Sequence, residues 1–289
     1  MRRILFKKIW MLFFLLPALL PANEAASRYL ENYLRVRGDL SGAESLYYLQ
    51  GSVYSMIPGE KSMELFGYEG YVISRLIPED SGYRLLSKEV GFFLDHRTKA
   101  ILEDWRNPFT QETLPVIHIW NDPVNQSFEY SPQTLPYIRQ FLPSVDMGES
   151  LVFHNEIFPF FPHPLSRRQY GEYVQNDHFQ SAEISQYRVS KSALADSLQT
   201  GVPAELTSTW IMPWMPFMKM ADREGHLIFS LRGRKLDSGF SELPQKLRDY
   251  VLKHQPDFAH APTYYYEPNM NPWSYFKLLR EGPSDTSDR

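Results

Sequence analysis

From Leu46 onward the chain is built of short runs rich in Tyr, Phe, Val and Ile, separated by turn signals at intervals of about ten residues. Pro58-Gly59, Pro78-Glu79-Asp80-Ser81-Gly82, Asp95 to Thr98 and Asn107-Pro108 are the clearest of these turns. β-branched and aromatic residues suit a pleated, packed surface, and Pro, Gly, Asn and Asp at fixed intervals close the turns between strands. The pattern predicts strands over 46–57, 64–77, 83–94, 100–105, 114–121, 150–160, 182–190, 204–212 and 226–233. Sheets of this length curl, and closing into a barrel removes their edges. The expected fold is therefore mainly β: an antiparallel, barrel-like sheet of the calycin or lipocalin kind with a few peripheral helices. The proline-rich stretch from Phe158 to Pro164 is expected to break the sheet, because proline cannot donate to a central ladder.

Two helices are expected around this sheet. Tyr29, Leu30, Tyr33 and Leu34 recur at helical spacing within Ser27 to Val36, ending near Gly38. In 241–254, Leu243, Leu247, Tyr250 and Val251 share a face, with Ser241 placed to cap and Pro244 in the first turn.

The first 22 residues read as an export signal. Arg2, Arg3, Lys7 and Lys8 precede an apolar run from Ile9 to Leu20, and small residues follow at Ala22, Ala25 and Ala26. The run is too short for a bilayer core about 30 Å thick. Cleavage after Ala22 leaves a single β-rich domain over 23–281 and a Ser/Asp-rich, disordered tail over 282–289. A periplasmic or secreted protein with no stable membrane anchor is expected. Four basic residues and no acid leave with the leader, so the mature chain is more acidic than its formal charge of −4. That balance argues against a nucleic-acid partner, whose affinity comes mainly from neutralised phosphates. Zero cysteines exclude disulfides, thiolate metal sites and cysteine nucleophiles.

The strand faces carry the functional expectations. In 116–122 one face holds Ile117, Ile119 and Asn121; the other holds Val116, His118, Trp120 and Asp122. Imidazole, indole and carboxylate in a row suit a cavity wall, and His118 and Asp122 are the candidate acid–base pair. Glu69, Tyr71, Ile73 and Arg75 share a second face, as do Ser87, Glu89, Gly91 and Phe93, so Arg75 is expected to pair with Glu69 or Glu89 inside the barrel. Leu206, Ser208, Trp210, Met212 and Trp214 form a third, greasy face that serves equally as core. Glu69, Arg75, Glu89, Trp105, Trp120, Trp210 and Trp214 make up the candidate ligand-binding set. No Walker A loop, Gly-x-Gly-x-x-Gly, His-Glu-x-x-His or Gly-x-Ser-x-Gly occurs, and none of the eight histidines forms a close pair with metal spacing. Neither a cofactor nor a metal is expected.

Residues 64–127 resemble a family. The matching series is Phe66-Gly67-Tyr68-Glu69-Gly70, Lys88-Glu89-Val90, Leu94-Asp95 through Thr98, Ile101 through Thr110, and Val116 through Asn125. Asn271-Pro272-Trp273-Ser274-Tyr275-Phe276-Lys277 is similar to the same family's closing segment. The family is the bacterial and fungal domain of unknown function numbered 1838, and the resemblance covers nearly all of the mature chain. Lys88 stands where the family pattern has arginine, and Gln111 where it has glycine. The resemblance implies one structural unit containing Trp105, Asn107, His118, Asn121 and Asp122, and no activity. The favoured function is binding of an apolar or aromatic small molecule in the barrel. The alternatives are a cofactor-free isomerase, cyclase or hydratase for a lipid-like or polyketide-like substrate, and a structural or interaction module of the envelope.

Overall fold

Nine antiparallel strands form one curled sheet in a computed structural model that describes residues 16–267 and 269–282. In chain order they are β1 (Ser45–Met56), β2 (Glu64–Glu79), β3 (Gly82–Leu94), β4 (Ile119–Glu129), β5 (Ser144–Met147), β6 (Ser150–Ile157), β7 (Ala182–Ser190), β8 (Glu205–Met212) and β9 (His226–Leu236). Their spatial order is β4-β3-β2-β1-β9-β8-β7-β6-β5. The expectation of a mainly β, antiparallel, barrel-like fold holds, with one difference: the sheet curls into a half-barrel, and its end strands β4 and β5 do not pair.

A helix occupies the gap. Helix α1 (Leu16–Arg37) lays Leu30, Tyr33, Leu34 and Val36 into the concave face, all fully buried. Tyr33 meets Phe128 of β4 at 5.7 Å between ring centroids and Phe153 of β6 at 5.5 Å, so one side chain touches both ends of the strand order. The Tyr29 hydroxyl donates to the Leu142 carbonyl at 2.6 Å, and Tyr47 of β1 donates to Val36 O at 2.7 Å. Burying this stripe of large side chains contributes about 1.5–3 kcal/mol per residue, which favours a helical plug over a closed ladder. The end of α1 is fixed by two cations. Arg35 donates to the carbonyls of Ala193, Leu194, Asp196 and Gln199, while Lys235 Nζ donates to Arg35 O, Val36 O and Gly38 O, satisfying carbonyls the helix leaves open.

The convex face is covered as well. Helix α2 (Gln245–His254) buries Leu247 and Val251 against Tyr71, Ile73, Val90, Phe92 and Trp120, together with Phe258 from the turn that follows. Its N-cap position is Pro244, and Ser241 lies in the preceding 3₁₀ turn rather than capping it. Helix α3 (Pro272–Glu281), which periodicity had not suggested, closes the described chain. Asn271 Oδ1 accepts from the backbone N–H groups of Trp273 and Ser274, and Ser274 Oγ accepts from Asn271 N, a reciprocal cap with Pro272 in the first turn. The family-like closing segment is therefore a helix start.

Several boundaries move. The strand expected over 100–105 is reduced to Asp104–Arg106, paired with Thr113–Pro115. The strand expected at 114–121 begins at Ile119 and runs on through Pro123 to Glu129. Register shifts there, with Glu89 opposite Asn121 but Ser87 opposite Val124, so Pro123 falls in a bulge on an edge strand, where its missing N–H costs nothing. β6 stops at Ile157, as the prolines require, and Phe160–Pro162 pairs instead with His178–Gln180. The expected leader lies largely outside the described residues; its last part, from Leu16, is helical and continuous with α1. The tail after Gly282 lies outside them too. Among the described residues no helix is long and apolar enough to cross a membrane.

Gln111 has φ +64°, in the left-handed region that favours glycine. The departure from the family pattern thus falls where the backbone wants no Cβ. Gln111→Gly is expected to raise stability by up to about 1 kcal/mol, the relief of strain being partly offset by unfolded-chain entropy; urea denaturation reads it.

Candidate binding site in the half-barrel

The concave face keeps one large space, a cavity of about 450 Å³ between α1, the sheet, and the segments over its mouth. Its walls are mostly apolar: Leu49, Val72, Ile119, Ile157, Leu206 and Met212, with Tyr68 and Trp210. Tyr68 and Trp210 meet edge-on at 5.8 Å, and Phe229 supports both from below at 5.4 Å. Gly91 makes room for this arrangement, since a Cβ there would stand 2.1 Å from the Tyr68 hydroxyl oxygen. Phe161, Phe179, Asn269, Pro272 and Trp273 complete the rim.

Three charged side chains line the cavity: Arg37, Glu89 and Glu183. Arg37 is the last residue of α1, one further step along the Tyr29–Tyr33 stripe, so the helical period aims it inward. One guanidinium N–H donates to the Tyr33 hydroxyl at 2.8 Å, and the group lies 4.9 Å from the Tyr187 ring centroid. Among the described residues it has no other hydrogen bond, and its remaining donors are open to the cavity.

Glu89 stands on β3 and Glu183 on β7, separated in the sheet by four strands, so curvature brings them to one concavity. Glu89 Oε2 accepts from Asn121 Nδ2 at 2.9 Å, a contact between directly opposed residues of β3 and β4. Glu183 is paired across the ladder with Trp210 and makes no hydrogen bond among the described residues. Burial pushes both carboxyls up, Glu183 to about 8 with the negative charge of Glu89 adding to the effect; Arg37 opposes the rise at both. Asn121 Oδ1 and Gln126 Oε1, also in the lining, are buried with no hydrogen-bond partner among the described residues. Deeper in the same face, Ser185 and Ser208 hydrogen-bond to each other at 2.7 Å.

Of the candidate acid–base and ligand-binding residues, Glu89 and Trp210 face this cavity, with Leu206, Ser208 and Met212 beside Trp210 on the greasy face. From Ile119, where the strand begins, the two faces alternate as expected, but the cavity takes the Ile119/Asn121 side; Val116 and Ile117, before the strand, both pack against the concave core. His118, Trp120 and Asp122 point to the convex face. Trp120 packs between Phe92 at 5.7 Å and Phe258 at 5.0 Å. His118 is 4% exposed; its Nδ1 accepts from Phe93 N at 3.2 Å, and Phe92 and Tyr250 stand edge-on to it. Burial pulls its pKa down to about 4, partly opposed by the Leu102 carbonyl, so it is a neutral packing residue at neutral pH.

Asp122 is a clip. Its Oδ2 accepts from the Tyr266 hydroxyl at 2.6 Å and lies 3.6 Å from Lys88 Nζ. Its backbone pairs with Met270 in both directions, at 2.9 and 2.7 Å. Those bonds fix the strap that carries Asn269, Asn271 and Trp273 to the cavity rim, which makes Asp122 a positioning residue. Lys88, where the family pattern has arginine, also donates to Asp257 O at 2.8 Å, so the basic character of the position is used.

The expected Arg75 pairing does not occur. Arg75 bonds Glu44 at 3.1 Å outside the barrel, and Glu69 is held on the convex face by Lys246 at 2.7 Å and Tyr48 at 3.0 Å. Successive residues of a strand point to opposite faces, and β2 has its Glu69–Arg75 set outward while β3 has its Ser87–Phe93 set inward. Trp105 is buried in the core against Phe66 at 4.9 Å, and Trp214 donates to Arg223 O at 2.9 Å; neither lines the cavity. Asn107, fully buried, holds its own turn by accepting from Phe109 N at 2.8 Å.

Among the described residues no group of three or more His, Asp or Glu side chains is placed to hold a metal ion. Fold and site together define a class: a curled antiparallel half-barrel, plugged by a helix, with a mostly apolar cavity into which Arg37, Glu89 and Glu183 also reach. Residues 42–280 match the family described as a protein of unknown function, DUF1838, and the chain belongs to that family. No curated protein matches it.

Proposed function

We propose that this is an exported small-molecule-binding protein whose ligand has an apolar or aromatic body and an oxygen acceptor at one end. The observation that carries the reading is the 450 Å³ cavity, within the size range of small-molecule sites, with open Arg37 donors at an otherwise greasy wall. Trp210 and Tyr68 take the ligand body, and Arg37, Asn121 and Gln126 orient its polar end. Export fits the packing of α1, because Ala26, Tyr29, Leu30, Tyr33 and Leu34, which it lays into the core, all lie beyond the expected cleavage point and stay with the mature chain.

Native mass spectrometry on protein purified gently from its own host tests both parts. The expected spectrum shows a mature chain beginning at Asn23 with one retained apolar adduct, and Ser208→Trp, which fills the cavity, abolishes the adduct. A bare mass in wild-type protein, or an adduct indifferent to Ser208→Trp, contradicts the binding reading. An intact N-terminus contradicts the export reading. The enzymatic alternative has its own observation in support: two carboxyls raised by burial that face the same cavity.

A further inference from the structure

We propose that Glu89 and Glu183 are a proton-transfer pair, which makes the cavity a cofactor-free catalytic site for an apolar carbonyl compound with an acidic C–H bond next to its carbonyl group. The proposal rests on the cavity-binding reading and adds to it a reaction and a substrate class.

The geometry sets the roles. The two carboxyl groups reach one cavity from β3 and β7, with four strands between them in the curled sheet, so a single bound molecule meets both. Glu89 is held by Asn121 at 2.9 Å, a fixed orientation suited to a base. The Glu183 carboxyl has no such tether and opens onto the cavity. Arg37 presents its free N–H donors to the same space, where they suit an oxygen that gains negative charge.

Charge balance gives the protonation state. The charged and titratable groups facing the pair are Arg37, Tyr47, Tyr68 and Tyr187. Burial keeps the three phenols neutral, Tyr187 being raised to about 12 and the other two further. With both carboxyls ionised the wall would hold two negative charges against one positive; a single proton on the pair balances Arg37. Asn121 donates to Glu89 and favours its anion, which leaves the proton on the untethered Glu183, pushed up by burial and by the charge of Glu89.

The step closes without a co-reactant. Glu89 takes the proton from the carbon beside the carbonyl, and the electron pair of that C–H bond becomes a C=C bond. The carbonyl π pair moves onto oxygen, which Glu183 protonates while Arg37 holds it. In the reverse sense the enol O–H proton returns to Glu183 and Glu89 delivers its proton to carbon. Delivery to the original carbon, once the Glu89 proton has traded with solvent, is exchange; delivery to another position of a conjugated chain is double-bond isomerisation.

The test uses 2-tetralone, an aromatic ketone with acidic methylene protons. Proton NMR in D₂O follows loss of the signal beside the carbonyl, and saturation transfer from the protein reports binding separately. Catalytic amounts of wild-type protein are expected to speed exchange at least tenfold over buffer. Glu89→Gln and Glu183→Gln are each expected to return exchange to the buffer rate with saturation transfer retained. Binding with exchange at the buffer rate, or wild-type exchange in both variants, overturns the pair and leaves the cavity reading standing. No saturation transfer, together with no retained adduct in native mass spectra, overturns the cavity reading and the pair with it.

Discussion

Arg35→Ala is expected to lower the stability of the fold by about 2–4 kcal/mol. Arg35 is 3% exposed, and its guanidinium bonds four backbone carbonyls of 193–199, with Gln199 O at 2.8 Å and Leu194 O at 3.0 Å. A charge-assisted hydrogen bond contributes about 1.5–3 kcal/mol. The acceptors belong to half-buried and exposed residues that water reaches, so the loss is that of the cation's bonds rather than of stranded carbonyls. The change also frees the end of α1, the element that joins β4 to β6 in place of a ladder and carries Arg37 into the cavity. Guanidinium denaturation monitored by tryptophan fluorescence reads the effect. A loss under 1 kcal/mol would mean that α1 is held by its apolar stripe alone.

The second large effect is a loss of stability on the alkaline side. Glu183 has its folded pKa raised to about 8, so its contribution is full below the ordinary carboxyl range and is lost as pH rises through 8. His118 is lowered to about 4, so its contribution is full above its ordinary value of 6.5 and is lost as pH falls through 4. Between pH 4.5 and 6.5 the two act in opposite senses and largely cancel. From 6.5 to 8 the carboxyl acts alone, at about 1.4 kcal/mol per pH unit, and stability is expected to fall by about 2 kcal/mol. Glu89, raised for the same reason, falls in the same direction. Glu183→Gln should remove the alkaline fall and uncover the His118 rise below 6.5. Urea denaturation from pH 5 to 8.5 on both proteins tests this; parallel profiles would refute it.

Strand positions were legible in this sequence and strand orientation was not, for a physical reason. β2 and β3 are covered on both sides, by the plug and cavity on the concave face and by α2 on the convex face. Tyr68 and Tyr71, two and five residues beyond Phe66, are both buried while facing opposite ways. Alternation separates two faces, but it names the inner one only when the other is wet. The chemically rich row His118-Trp120-Asp122 thus looked like a cavity wall, whereas Asn121, on the plainer face, is the residue that orients Glu89.

The two charged groups that were missed had weaker signals. Arg37 continues the i, i+4 spacing of Tyr29 and Tyr33, but a basic residue at a helix end is ordinarily explained by the helix dipole. Glu183 shares a strand face with Tyr187 and Val189, and an acid at the start of a strand gives no reason to expect burial. Only the curl of the sheet, a long-range property, brings β7 opposite β3. Asn107 and Asn271, by contrast, behave as the turn chemistry of asparagine requires, one closing a loop and the other capping α3.

The central claim is that a small molecule occupies the half-barrel with its polar end at Arg37 and its body against Trp210. A crystal structure of the protein purified from its own host tests this directly. Continuous density for a compact molecule reaching from the Arg37 guanidinium to the Trp210 ring is the predicted result. A cavity holding only ordered water, in crystals whose protein carries its bound molecule elsewhere, would contradict it.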